Sequence, residues 1–313
     1  MEPADLVQQQ CTLMGSPFTI QAYVPRHGPR RPVAEWMRLA FGEIARIEDL
    51  LTDFRPSPFN EINAMAGIRP VKVCREIFDI LERSLQISRD SDGAFDISYA
   101  SVGLLWREAA KSGRPPSREA LDRAKRFVDF RKIEMNPDTR EVFLPHPEMK
   151  IGLGGIGKGY AVDQAFQLLR NFGLENFVVN GAGDIHAHAS ASAPRPWRIG
   201  IRNPFAERDV AMGHLQIRSG AVATSGDYER FFRHRGKKYH HVVDGRTGEI
   251  TKKVSSVTIM ASTTMTADVC ATTAMALGPE EGLKFLERRR GLSGFLVTGD
   301  GAVLKTKNLK TDG

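Results

Sequence analysis

Val257–Leu277 reads VTIMASTTMTADVCATTAMAL. Its opening, Val257–Ala261, is β-branched and apolar, the pattern of a buried strand. A polar hinge follows at Ser262–Thr266. Ala267–Leu277 is alanine-rich and free of glycine and proline, which predicts a helix. Asp268 and Thr272 lie four residues apart, so a helix puts the carboxylate and the hydroxyl on one face. Two readings are open for that pair. One makes Asp268 an acid favoured by the positive helix N-terminus, with Thr272 bonding back to the preceding turn. The other makes the pair part of a hard-cation site, where a carboxylate and neutral oxygens suit Mg²⁺ once phosphates complete its shell.

The chain around this stretch has 313 residues, enough for a core in one large domain or two interlocked ones. Strands and helices mix without a steady βαβ rhythm, so an α+β architecture is expected rather than a doubly wound sheet. A net charge of +7 would suit nucleic acid, an anionic surface or a phosphate-rich ligand. The lysines and arginines are spread along the chain, and no nucleic-acid-binding signature accompanies them, so nucleic acid is not an expected partner. Cys11, Cys74 and Cys270 form no CxxC, which speaks against a zinc site or a disulfide framework. Cys74 and Cys270 sit in apolar settings and are expected to be buried. No run reaches the length of a membrane span, so stable membrane insertion is not expected. The start, MEPADLVQQQ, lacks the basic and apolar regions of a signal peptide, and a cytoplasmic location is the expectation.

Residues 11–24 predict a first strand, with Met14-Gly15 inside it; residues 1–10 and 306–313 read as polar termini flanking one unit over 11–305. Pro25–Pro32 reads as a basic loop. Val33–Leu51 carries Met37, Phe41, Ile44, Ile47 and Leu51 at helical intervals. Arg55 is expected to face solvent rather than a phosphate. A helix is predicted near Arg75–Ser88, ended by Asp92-Gly93. Pro116–Arg126 predicts another, with Ser117 as N-cap. Trp106 is expected to be structural. His186 and His188 lack further ligands at metal-binding spacing and read as surface residues.

A second focus is Lys150–Gly159, KIGLGGIGKG. Glycines let the backbone approach a ligand closely and expose its amides and carbonyls. A helix, Tyr160–Phe172, follows, and a helix N-terminus beside such a loop suits phosphate, with Lys158 adding charge. A tight strand-to-helix turn with a solvent-facing lysine is the plainer alternative. The spacing fits neither the P-loop nor the dinucleotide fingerprint.

These stretches together resemble the ApbE family of FAD:protein FMN transferases. The matching segments are Asp92–Asp96 (DGAFD) with Trp106, Gly154–Asp163 (GGIGKGYAVD), Ala223–Tyr228 (ATSGDY), His240–Gly248 (HHVVDGRTG), and Ala267-Asp268 with Ala271-Thr272. They fall in the family's order over roughly residues 14–278. The resemblance implies mixed sheets in two interlocked, T-fold-like halves with a flavin cleft between them. It implies Mg²⁺-dependent transfer of FMN from FAD to a threonine hydroxyl of an acceptor redox protein, releasing AMP. Asp268, Thr272 and the carbonyl of Gly157, where the family has alanine, would bind the metal. Met14, Ser98, Gly155, Lys158, Asp184, Thr224, Ser225, Gly226, Asp227 and His241 would meet the cofactor. Lys158 would stabilise charge, and Asp268 or His241 would take the proton.

The chain departs from the family's pattern at Ile97 and Ser101, which replace prolines, and at Tyr99, which replaces a small aliphatic residue. Gly152 replaces an aspartate, Ala182 separates two glycines the family keeps adjacent, and Gly245 replaces a proline. Family members are often exported, which the expected location does not follow. The departures keep two alternatives in view. One is an FAD pyrophosphatase giving FMN and AMP; the other is a non-catalytic FAD-binding protein.

Overall fold

The computed structural model describes residues 4–25, 30–191, 193, 195–207 and 210–309. Strands β1 (Ala4–Leu13) and β2 (Ser16–Pro25) form a hairpin, turned by Met14 and Gly15 at φ 51° and 67°. Two successive left-handed residues match the right-handed twist of the flanking strands. The first strand therefore begins at Ala4, within the stretch expected to be a polar terminus. Then come α1 (Arg30–Leu51), α2 (Asn60–Ala64), β3 (Val71–Lys72) and α3 (Arg75–Asp90). Of the expected 25–32 loop, residues 26–29 lie outside the described residues. A 3-10 turn, Ile97–Tyr99, runs directly into α4 (Ala100–Ser112), followed by α5 (Arg118–Lys125), β4 (Glu134–Asn136), β5 (Glu141–Phe143) and α6 (Gly157–Asn171).

Next are β6 (Asn176–Gly181), β7 (Asp184–Ala189), β8 (Trp197–Arg202), β9 (Ala211–Ile217), β10 (Ser219–Gly226), β11 (Phe231–His234), β12 (Lys237–His240) and β13 (Val254–Ala261). Helices α7 (Thr264–Leu277) and α8 (Pro279–Glu287) precede β14 (Ser293–Thr298) and β15 (Val303–Lys305). Eight strands make the main sheet, in the order β1-β2-β6-β7-β10-β13-β14-β15. The α+β class holds. Where mixed sheets were expected, every described strand pair is antiparallel.

Alternation along the strands sorts side chains onto two cores. Phe18 and Ile20 of β2, Ala223 of β10 and Leu296 of β14 join α1, α6, α7 and α8 in the larger one. Ile185 and Ala187 of β7, Val222 of β10 and Val297 of β14 join the β8–β9 ribbon in the other. A third cluster, Val102, Trp106, Ala109, Val243 and Ile250, builds a smaller lobe on α4. Trp106 is structural there: its indole N–H donates to the Gly248 carbonyl at 3.5 Å.

Two expectations about burial fail. Cys74 is exposed, at the extended position that precedes α3. His186 is buried: its ring stacks on Phe166 at 3.6 Å and its Nδ1 meets Asp163 at 2.7 Å.

Candidate active site

The strand–hinge–helix reading is realised by β13 and α7, but the helix starts three residues early. Thr263 is its N-cap and accepts from the Thr266 amide at 3.3 Å. Asp268 therefore lies beyond the first turn, where the helix dipole gives a carboxylate little. Back-bonding is done by its neighbour instead, Thr273 Oγ1 donating to the Val269 carbonyl at 2.6 Å. Thr272 Oγ1 pairs with Ser225 Oγ at 3.0 Å. Both ordinary explanations for the Asp268–Thr272 pair thus fail on geometry.

Asp268 faces α6, and the first turns of the two helices pack against each other. The Gly159 amide donates to Asp268 Oδ2 at 3.1 Å, and among the described residues no hydrogen bond reaches Oδ1. A Cβ on Gly159 would stand 2.6 Å from the Thr264 carbonyl oxygen, so only glycine fits the crossing. One turn on, Asp163 accepts from the Thr264 and Met265 amides at 2.8 and 2.9 Å. A carboxylate of one helix thereby satisfies the orphan donors of the next. Sequence spacing hides this cap, since it lies about a hundred residues from the helix it serves.

Lys158 reaches Asp184 at 2.5 Å. Burial would lower the Lys158 ammonium, but Asp184 and Asp268 outweigh it and hold the pKa above its usual value. The buried Asp268 carboxyl is pushed up to about 8, by desolvation and then by Asp184, with Lys158 opposing. Burial opposes ionisation of both Asp184 and Asp268, and Asp184 opposes it further at Asp268; a bound cation would favour their carboxylate forms.

The glycine segment is held residue by residue. Asn63 clasps Ile151, donating to its carbonyl at 2.9 Å and accepting its amide at 2.7 Å. The Gly152 amide donates to the Ile97 carbonyl at 2.9 Å, and the Gly157 amide to that of Leu153 at 2.8 Å. Gly155 packs on Thr272, whose Cγ2 lies 2.9 Å from where a Cβ would be. Gly157 is the first residue of α6. Thr272, Ser225, the Asp268 carboxylate and the carbonyls of this turn would together offer only oxygen donors, with one carboxylate among them. Among the described residues no group of three or more His, Cys, Asp or Glu side chains could hold a metal. Such a set suits Mg²⁺ when substrate phosphates supply the remaining ligands, and the bare Oδ1 fits that requirement.

The other expected cofactor residues divide. The Met14 amide donates to Glu48 Oε2 at 2.8 Å, and a Cβ on Gly157 would lie 4.0 Å from the Met14 methyl, which places the first hairpin turn at the site. Thr224 and Ser225 face opposite sides of the sheet, as strand neighbours must. Ser225 looks towards Thr272. Thr224 Oγ1 meets Thr258 Oγ1 at 2.9 Å and lines a cavity of about 230 Å³ with Arg202 and Tyr228. Gly226 lies under the Tyr228 ring, 2.7 Å from its Cζ to where a Cβ would be. Asp227 pairs with Lys238 at 2.7 Å and braces the ribbon β11–β12. Ser98 stands apart from the cluster. It is fully buried, and its hydroxyl ties two loops together by donating to Asp96 at 2.6 Å and accepting the Asp129 amide at 2.8 Å.

The two adjacent histidines also divide. His240 is buried, with Nε2 at 2.6 Å from the Thr251 carbonyl and Nδ1 accepting the Val242 amide at 3.2 Å. His241 opens to solvent from a recess, with Nδ1 at 3.3 Å from the Arg230 carbonyl. The enclosing protein, and then His240, Arg230 and Lys158, push its imidazole down to about 4. Arg230, which also bonds the Ser16 hydroxyl at 3.3 Å, is a cation of the site that sequence reading missed. Arg55 pairs with Asp49 at the surface, as expected. Arg246 braces its own turn through Asp244 and reaches Glu281.

Packing accounts for two departures from the family pattern. A Cβ on Gly245 would lie 2.4 Å from the Gly93 carbonyl oxygen, and its amide donates to the Ala94 carbonyl at 3.1 Å, a bond proline cannot make. At Gly152 a carboxylate is present from elsewhere: Asp53 Oδ2 lies 3.3 Å from where a Cβ would be.

Comparison with known proteins identifies the family. The ApbE family model matches residues 14–296. An FAD:protein FMN transferase of Klebsiella pneumoniae (strain 342) is 31% identical over 288 residues, covering 91% of this chain and 87% of the relative. One from Treponema pallidum (strain Nichols) is 33% identical over 253 residues, covering 76% and 70%. The crystal structure of the ApbE protein from Thermotoga maritima MSB8 superposes with a TM-score of 0.85 at 28% identity, covering 97% of each chain.

Proposed function

The chain belongs to the ApbE family, and on that premise we propose that it moves FMN from FAD to a threonine hydroxyl of an acceptor protein, releasing AMP. It is an enzyme of the FAD:protein FMN transferase type, with FAD as substrate. Its acceptor would be a redox protein or subunit that carries the flavin covalently. No described helix is long and apolar enough to cross a membrane.

The reaction is phosphoryl transfer. The threonine oxygen attacks the phosphorus of the FMN half of the diphosphate. The bond to the bridging oxygen breaks, AMP leaves with that oxygen, and the hydroxyl proton passes to a base. Asp268, Thr272 and the Gly157 carbonyl would hold Mg²⁺, which when bound neutralises charge on the diphosphate. Lys158, held cationic by Asp184, adds positive charge to the same side. His241, open to solvent beside Arg230, would contact the bound nucleotide and is one candidate for that base. Asp268 is the other candidate for the base, weakened in that role if its open Oδ1 binds the metal. The observation that carries this reading is that buried carboxylate, open on one oxygen beside the glycine turn and Lys158.

The test is a mass measurement on a candidate acceptor peptide incubated with the protein, FAD and Mg²⁺. A gain matching FMN is expected. Asp268→Asn should cut labelling at least about a hundredfold with the fold intact; full-rate transfer by that variant would refute its role. AMP release at the same rate without acceptor would make the protein a pyrophosphatase. Tight FAD retention with no AMP released would make it a binding protein.

A further inference from the structure

Tyr99 is unusual in what surrounds it. Three glycines face its side chain. A Cβ on Gly103, one turn along α4, would lie 2.9 Å from the ring; one on Gly152, 3.5 Å from it; one on Gly154, 2.8 Å from the hydroxyl oxygen. None of the three has a positive φ, so backbone conformation does not require glycine there. Space does, and Tyr99 occupies it. Near the hydroxyl is Arg107, whose guanidinium pairs with Asp53 at 2.5 Å and lies 4.3 Å from the centre of the Phe54 ring. The phenol is therefore wedged on its flanks, with a charged pair near its tip.

On the opposite side of the glycine segment stands Thr272, against Gly155. Hydrogen bonds fix Ile151, Gly152 and Gly157. Among the described residues Gly154 and Gly155 have none across the turn and are held by packing alone. We propose that Tyr99 is a positioning residue: its phenol is the stop against which α7 presses the turn, and so it sets the placement of the Gly157 carbonyl and Lys158. Resting on the functional reading above, this predicts that removing the stop loosens flavin nucleotide binding without unfolding the protein.

The experiment uses Tyr99→Val, Tyr99→Phe, Gly154→Ala and the double variant Tyr99→Val with Gly154→Ala. Two quantities are measured on each: amide hydrogen exchange of the peptide spanning residues 151–158, and FAD affinity by fluorescence quenching with and without Mg²⁺. Tyr99→Val should speed exchange in that peptide about tenfold or more, with other peptides unchanged, and weaken FAD binding by a similar factor. Tyr99→Phe, which still fills the slot, should stay within about threefold of wild type in both. Gly154→Ala alone should match Tyr99→Val, because its methyl would lie 2.8 Å from the phenol oxygen. In the double variant the two losses should not add, since the clashing partner is gone. Wild-type exchange in Tyr99→Val, or additive losses in the double variant, would overturn the proposal. Should wild type bind no FAD at all, the functional reading fails, while the exchange measurements still decide the role of Tyr99.

Discussion

Gly159→Ala separates helix propensity from the packing of this site. In an ordinary helix the change stabilises by about 1 kcal/mol. Here the new methyl would lie 2.6 Å from the Thr264 carbonyl oxygen and 2.8 Å from the Met265 Cα. Both obstacles are backbone atoms, which cannot turn aside as a side chain can. Overpacking of this kind costs about 3 kcal/mol at the upper end of its usual range. The net expectation is a loss of about 2 kcal/mol. Gly42→Ala in α1 is the matched control, for nothing lies within 4 Å of its Cβ. It should gain about 1 kcal/mol, so the two substitutions should differ by about 3. Urea unfolding at constant slope measures both. The bond from the Gly159 amide to Asp268 should weaken as the helices part, and Mg²⁺-dependent FAD binding with it. Wild-type stability or better in Gly159→Ala, alongside the expected gain in Gly42→Ala, would refute the close crossing of α6 and α7.

Ala182 turns the β6–β7 hairpin at φ 55°, and Ala182→Gly should stabilise by about 1 kcal/mol, read as a shift in the urea midpoint. Asp163→Ala orphans two α7 amides and the His186 ring nitrogen, and should cost about 2–4 kcal/mol in the same assay. His240 is held neutral chiefly by burial, and its folded pKa lies below the unfolded value of about 6.5. The unfolded chain therefore binds the extra proton, and stability should fall as pH drops below about 6.5 towards the folded pKa. His241, pushed down to about 4, acts in the same direction. His240→Gln should flatten that fall, which unfolding curves taken from pH 7 to 5 would detect.

What could be read from the chain alone was what repeats locally. The four-residue spacing of Asp268 and Thr272 survives in α7 because helical phase needs no tertiary information. The amphipathic pattern of α1 is legible for the same reason. The start of α7 was missed because Thr263 and Thr264 look like hinge residues, and only the cap geometry shows where the helix begins. The strand expected over residues 11–24 is a hairpin that begins at Ala4, and its first half was missed because the glutamines of β1 lie at the edge of the sheet, where no apolar run is required. Thr224 and Ser225 were taken together, although strand alternation alone would have parted them. Asp163, Arg230 and the Tyr99–Arg107–Asp53 group were invisible as a set. Each acts on a segment far away in sequence, and no local pattern records such pairings.

Strand β10 divides two chambers, with Ser225 looking into one and Thr224 into the other. Neighbouring positions on one thread thus answer to separate tenants. An exchange at residue 224 should alter the hollow beside Arg202, while one at 225 should alter the side that holds Thr272. Descendants of this chain are free to retailor the back room one letter at a time while the front room goes on with its chemistry.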